Sequence, residues 1–157
     1  MFPSVPSCDI VEIPEYLPTS TEKRKQILDL ECRLQSAGGT AFDLPVIHWF
    51  CNGLYARELF IPAGTVLTGK IHKTEHLVIV SMGVVTVATE FETKLIEAPH
   101  TMITIPGTKR ALFVHEDVIW TNIHATNERD VTKIEEDIIA KTYADVDFDE
   151  ECSQWRG

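Results

Sequence analysis

The sequence predicts a mainly β protein, a sandwich or barrel of about nine strands flanked by an N-terminal and a C-terminal helix. Three observations lead there. From Val46 onward, short runs rich in β-branched and aromatic residues recur, among them VIHWF, LYARELFI, HLVIVS and VVTVATE. Turn chemistry interrupts these runs at intervals of roughly 8 to 12 residues, as at Asn52-Gly53, Pro62-Ala63-Gly64, Met82-Gly83 and Pro106-Gly107. On either side of this stretch the apolar spacing lengthens to three and four residues, the period of a helix. At 157 residues the chain suits one domain built on a single core.

Each element follows from local chemistry. Residues 1–18 contain Pro3, Pro6, Pro14 and Pro18, whose missing amide donors exclude a regular helix and predict an extended arm. Within residues 19–39, Thr19 and Glu22 fit a capping box, and Ile27, Leu30 and Leu34 recur at helical spacing until Gly38-Gly39, which predicts a helix over 20–36. Residues 44–126 form the barrel, with Lys73-Thr74-Glu75 and Glu116-Asp117 as further turns. In residues 127–157, Thr126 or Asp130 offers an N-cap, and Val131, Ile134, Ile138 and Ile139 form a stripe that predicts a helix over 130–141. The end, YADVDFDEECSQWRG, alternates small or apolar residues with aspartates. It reads as an acidic tail or edge strand, and best as an arm docked on another subunit, since Phe148 and Trp155 otherwise sit in water.

Composition narrows the function. A net charge of −10, from 24 acidic against 14 basic residues, repels a polyanionic backbone, so no nucleic-acid partner is expected. No apolar interval is long enough for a spanning helix, and the first residues lack the basic-then-apolar order of a signal peptide. The expectation is no membrane partner and a protein not secreted by a signal peptide. Cys8, Cys32, Cys51 and Cys152 form no Cys-x2-Cys pair, so they read as reduced thiols, Cys51 as core filler beside Trp49.

Between Gly64 and Gly83 the chain reads Gly-x5-Lys-x-His-x3-His-x6-Gly. This resembles the first signature motif of the cupin superfamily, with lysine (Lys70) at one ligand-histidine position and histidine (His76) at the glutamate position. The resemblance implies a cupin-type double-stranded β-helix, or jelly roll, with the motif residues inside the barrel mouth. Lys70 and His72, two apart, share a strand face, and a three-residue turn delivers His76 to the next strand. The second motif, aligned on Pro106, puts Ala111 at the ligand histidine and His115 at the asparagine; a one-residue slip at the Pro-Gly turn instead brings Arg110 inward. Both registers stay open at the level of sequence.

Two chemistries fit these residues. His72 and His76 are candidate ligands of a divalent transition metal, with Glu58 or Glu75 able to complete the set, although a protonated Lys70 would repel the ion. No cofactor is expected on the alternative reading, in which Lys70, His72, His76, Lys109 and Arg110 line a cationic pocket for a small anionic ligand. A third reading leaves them as packed polar residues, with Lys70 paired to Glu75 or Glu58. An isomerase-, epimerase- or oxygenase-like enzyme would use the metal, or His72 as a base oriented by Glu75 or His76. His48, His100 and His124 read as surface or loop residues, and Trp49 and Trp120 as core.

The runs GKIHKTEH and PGTKR, within YARELFIPAGTVLTGKIHKTEHLVIVSMG and IPGTKRALFVHEDVIWTNIHAT, resemble small cupin-like proteins encoded by tailed bacteriophages and prophages. The resemblance covers roughly residues 54 to 126. It implies a metal-poor cupin of phage origin, in the host cytoplasm or the virion. The expected function is a binding or structural module, a homo-oligomer that assembles with virion proteins or holds a small anionic ligand, rather than an enzyme.

Overall fold

The computed structural model describes residues 20–38 and 44–146. The expected N-terminal arm, Cys8, the Thr19 cap, Phe148, Cys152 and Trp155 lie outside the described residues. Helix α1 spans Ser20–Ser36, strands β1 to β8 run from Val46 to Ala125, and helix α2 covers Val131–Ile138, followed by a short strand β9, Ile139–Ala140.

The strands are β1 (Val46–Cys51), β2 (Leu54–Ile61), β3 (Val66–Thr68), β4 (Ile71–His72), β5 (His76–Ala88), β6 (Thr93–Glu97), β7 (His100–Thr104) and β8 (Ala111–Ala125). Antiparallel pairing orders the main sheet β1-β2-β8-β5-β6, with β3 also on β8 and β7 also on β5. Two long strands therefore organise the fold. The first half of β5 pairs with β7 and with the last half of β8; its second half pairs with β6 and with the first half of β8.

Met82-Gly83 and Glu116-Asp117, read from sequence as turns, are instead where β5 and β8 bend against each other. The register between the strands shifts around Met82 and Val84, and such bulges bend a strand without ending it. Gly83 has φ 88°, and a Cβ there would lie 2.1 Å from the Asp117 carbonyl oxygen, so only glycine fits. The shift also changes inward parity on β5, from Val78 and Val80 to Val85 and Val87. With Leu59, Ile61, Leu112, Val114, Val118 and Trp120 these residues form the core.

β1 is an edge strand whose even positions face inward. Val46 packs on the core, whereas Trp49 is 55% exposed and Cys51 is exposed, so neither is the core residue expected. Trp120 is buried.

Helix α1 lies against β3 and is fastened by charge. Arg24 forks onto the buried Glu90 carboxylate, with Nη2 donating to Oε1 at 2.9 Å. Buried Lys109 donates to Glu31 Oε1 at 2.8 Å, and Thr68 Oγ1 donates to the same oxygen at 3.0 Å. Ile27 is the buried anchor of the predicted stripe.

Helix α2 begins where Asp130 accepts a hydrogen bond from the Thr132 amide. Ile134 and Ile138 seat it on Tyr55. The helix ends at Ile138, short of the expected 141. The β-branched Ile139 takes extended backbone and pairs with β4, so that Ile139 stands opposite His72. A 3-10 turn over Tyr143–Asp145 follows, and Val146 is buried with Ile71 and Ala140.

Candidate metal centre and ligand cavity

Three strands lead their inward-facing alternation to one point at the barrel mouth. On β8 the inward series Val118, Trp120, Asn122 ends at His124; on β5 the series Val80, Val78 begins at His76; on β2 it runs Ile61, Leu59, Arg57, Tyr55. β4 adds His72, whose backbone is held from both sides. The Gly107 amide donates to the His72 carbonyl at 2.9 Å, and the Lys73 amide donates to that of Ile138 at 2.7 Å. Strand β9 thus positions a site residue that precedes it by more than sixty positions.

One ring nitrogen from each of His72, His76 and His124 lies within 4.8 Å of the other two. Ring centroids are 4.2 Å apart for His72 and His76, 4.5 Å for His76 and His124, and 5.1 Å for His72 and His124. His76 is 4% and His124 2% exposed. His76 Nδ1 lies 3.2 Å from the Thr74 carbonyl oxygen, an acceptor that places the proton on Nδ1 and leaves a lone pair on Nε2. His76 Nε2, His72 Nδ1 and His124 Nδ1 are all buried without a hydrogen-bond partner. Buried polar atoms in that state are rare and mark a missing partner.

Electrostatics keeps the trio neutral. Burial, then the neighbouring His76, His124, Arg110 and Arg57, pushes the His72 imidazole down to about 2. Burial with His76 pushes His124 down to about 4. His76 is lowered by burial and by the Arg110 charge, an effect partly offset by the Thr74 carbonyl and the nearby Asn122 side chain. Neutral imidazole is the form that ligates a metal. Buried unpartnered ring nitrogens in a cluster of neutral imidazoles fit a divalent transition metal, the ion class that imidazole suits.

His72 and His124 open onto a cavity of about 510 Å³ that Tyr55, Arg57, Lys70, Arg110 and Trp120 also line. Of the residues expected to form a cationic pocket, Lys70, His72 and Arg110 line this cavity, while His76 packs behind it against His72; of the two registers left open for the second motif, the one with Arg110 inward is present. Its guanidinium donates to Thr104 Oγ1 and sits 5.8 Å from the Trp120 ring centroid. Lys70 is an exposed rim residue whose Nζ is 3.3 Å from Glu135, not from Glu58 or Glu75. Lys109 is a correction: it is 6% exposed and spent on Glu31 and the Gly69 carbonyl, where it ties α1 to the barrel.

His124, expected as a surface or loop residue, is instead buried against His72 and His76. The signal was its parity, since it continues the inward series of Val118 and Trp120. Glu58 sits on the strand face opposite Arg57, Glu75 is exposed in the turn, and His115 bonds Thr86 on an exposed surface, so none of them joins the trio. His48 Nδ1 is 2.8 Å from the Tyr55 hydroxyl, and His100 is exposed on β7.

This bent sandwich, with a polar mouth, is a cupin-type jelly roll. The architecture is shared with salicylate 1,2-dioxygenase from Pseudoaminobacter salicylatoxidans, whose structure with gentisate aligns at a TM-score of 0.50 and 14% identity, covering 76% of this chain and 36% of that one. A cupin-2 domain protein from Shewanella frigidimarina aligns at 0.44 and 14% identity, over 60% of this chain and 91% of that one. A putative ethanolamine utilization protein from Salmonella typhimurium aligns at 0.45 and 13%, over 53% and 69%. No family model matches the sequence, and no curated protein matches it either. Among the described residues no helix is long and apolar enough to cross a membrane.

Proposed function

We propose that this protein is a metal-binding cupin module that holds a small anionic molecule in its barrel. His72, His76 and His124 take a divalent transition metal, and the cavity beside them admits the anion. The observation that carries this reading is the convergence within 4.8 Å of three histidines that each bury an unpartnered ring nitrogen. Three imidazoles leave coordination positions open to a ligand, in keeping with the ligand count of catalytic rather than structural zinc. When bound, such an ion supplies Lewis acidity. This chain's own groups orient and enclose: the Thr74 carbonyl sets the His76 tautomer, β9 fixes the His72 backbone, and α1 contributes Leu34 and Glu31 to the cavity wall.

Elemental analysis after stripping with a chelator and reloading tests the proposal. The expected result is close to one transition-metal ion per chain, lost on His124→Ala; metal-free protein under saturating ion would end this reading. The same ion and cavity support an enzyme on a small polar substrate as the alternative, and turnover of a candidate substrate would select it. The resemblance of GKIHKTEH and PGTKR to small tailed-phage proteins would place such a role in the virion or the infected cell.

A second reading, assembly as a homo-oligomer, rests on the outer sheet face. There Trp49, Ala56, Ile123, Leu77 and Ile103 stand in register as one apolar row across five strands. Packing of this row on its copy in a two-fold partner would bury it. Light scattering of Ile103→Lys against the parent tests that: the substitution should lower the mass if the face is an interface.

A further inference from the structure

The cavity holds more positive charge than its own carboxylates answer. Glu31 and Glu135 both line it, and both are already engaged, Glu31 by Lys109 and Glu135 by Lys70. Arg57 and Arg110 line the same space, and neither has a carboxylate partner among the described residues. Arg110 buries its Nε without any acceptor, and Thr104 and the Trp120 ring are the neighbours that restrain it. Burial lowers its pKa only to about 10, so the guanidinium keeps its charge at neutral pH. An unpaired buried charge is strongly unfavourable. In a chain of net charge −10 that could have placed an acid here, two open guanidiniums call for an anion from outside.

The remaining wall says what that anion carries. Leu44, Leu59, Ile61, Leu67, Leu112 and Trp120 form an apolar surface continuous with the arginines. A bare phosphate would leave this surface wet, and a heavily hydroxylated sugar would bury polar groups against it. A planar carboxylate matches the fork of a guanidinium, and an apolar body matches the wall.

Resting on the reading of this cavity as an anion site beside the histidines, we infer that its ligand is an organic monocarboxylate with an apolar body, the carboxylate held by Arg110 and Arg57 and the body laid against Trp120 and the leucines. Arg110 is then the specificity-determining residue, and the histidine trio faces the same ligand through His72 and His124.

The test is a melting-temperature titration of the full chain, metal-stripped and metal-loaded, with benzoate, cyclohexanecarboxylate, octanoate, neutral benzamide, inorganic phosphate and glucose 6-phosphate. The expected result is a saturable upward shift with at least one carboxylate, none with benzamide, and affinity weakened about tenfold or more by Arg110→Met or Arg57→Met. Arg110→Met without ligand should melt at or above the parent temperature, because it removes an uncompensated charge; a merely structural arginine would lower it. Benzamide binding as well as benzoate, or Arg110→Met and Arg57→Met binding unchanged, overturns the inference. Binding of phosphate or the sugar phosphate alone overturns it while leaving the anion-binding function standing. Failure of every anion on metal-loaded protein overturns both.

Discussion

The two ends of the same strands behave differently. Toward the bend, inward positions of β5 and β8 are Val78, Val80, Val85, Val114 and Val118, all fully buried with no polar atom to satisfy. Toward the mouth, the same alternation presents His76, Asn122 and His124, with Arg57 and Tyr55 on β2, and leaves three imidazole nitrogens and one guanidinium nitrogen without partners. The bend end is complete as it stands. Polar groups of this kind are retained at the mouth at the expense of stability, and that pattern marks a site that something else completes.

Substitution should separate the ends. Ile96→Ala, in the apolar half, should destabilise the protein by about 3 kcal/mol through lost burial and a residual cavity, read by urea unfolding. Glu31→Gln should come next, at about 2 kcal/mol, because it weakens the ion pair that holds buried Lys109 and loosens α1 over the cavity.

The pH dependence isolates the mouth. Each histidine titrates near 6.5 when unfolded, whereas burial holds His124 near 4 and His72 near 2 in the fold. Below pH 6.5 the unfolded chain therefore binds more protons, so stability of the metal-free protein falls with pH. The His124 contribution levels off near pH 4, and that of His72 continues lower. Unfolding of His124→Leu between pH 7.5 and 4.5 should show a shallower slope than the parent, and an identical slope would mean that His124 is not held neutral. The smallest effect belongs to the rim: Lys70→Ala should change stability by less than about 1 kcal/mol, since its pair with Glu135 is exposed.

Much of this contrast was readable before the structure, and the unreadable part has physical causes. The strand runs and helix stripes were legible because β-branched alternation and a 3.6-residue period are local. Met82-Gly83 and Glu116-Asp117 carried turn composition, yet they face each other across two bent strands, a pairing visible only in three dimensions. His72 and His76 stood out through their motif spacing. His124 belongs to no motif, and its inward aim follows from the parity of β8 once that strand is known to run unbroken to Ala125. Lys109 and Arg110 are adjacent cations whose fates diverge, one to Glu31 and one to the cavity, and no local signal distinguishes them.

The most direct test of the three-histidine centre is the visible absorption spectrum of the chelator-stripped protein titrated with cobalt(II), run beside His124→Ala and His115→Ala. Ligand-field bands should saturate near one ion per chain in the parent and in His115→Ala, with affinity reduced about 100-fold or more in His124→Ala. Equal titration of the parent and His124→Ala would contradict a three-histidine centre.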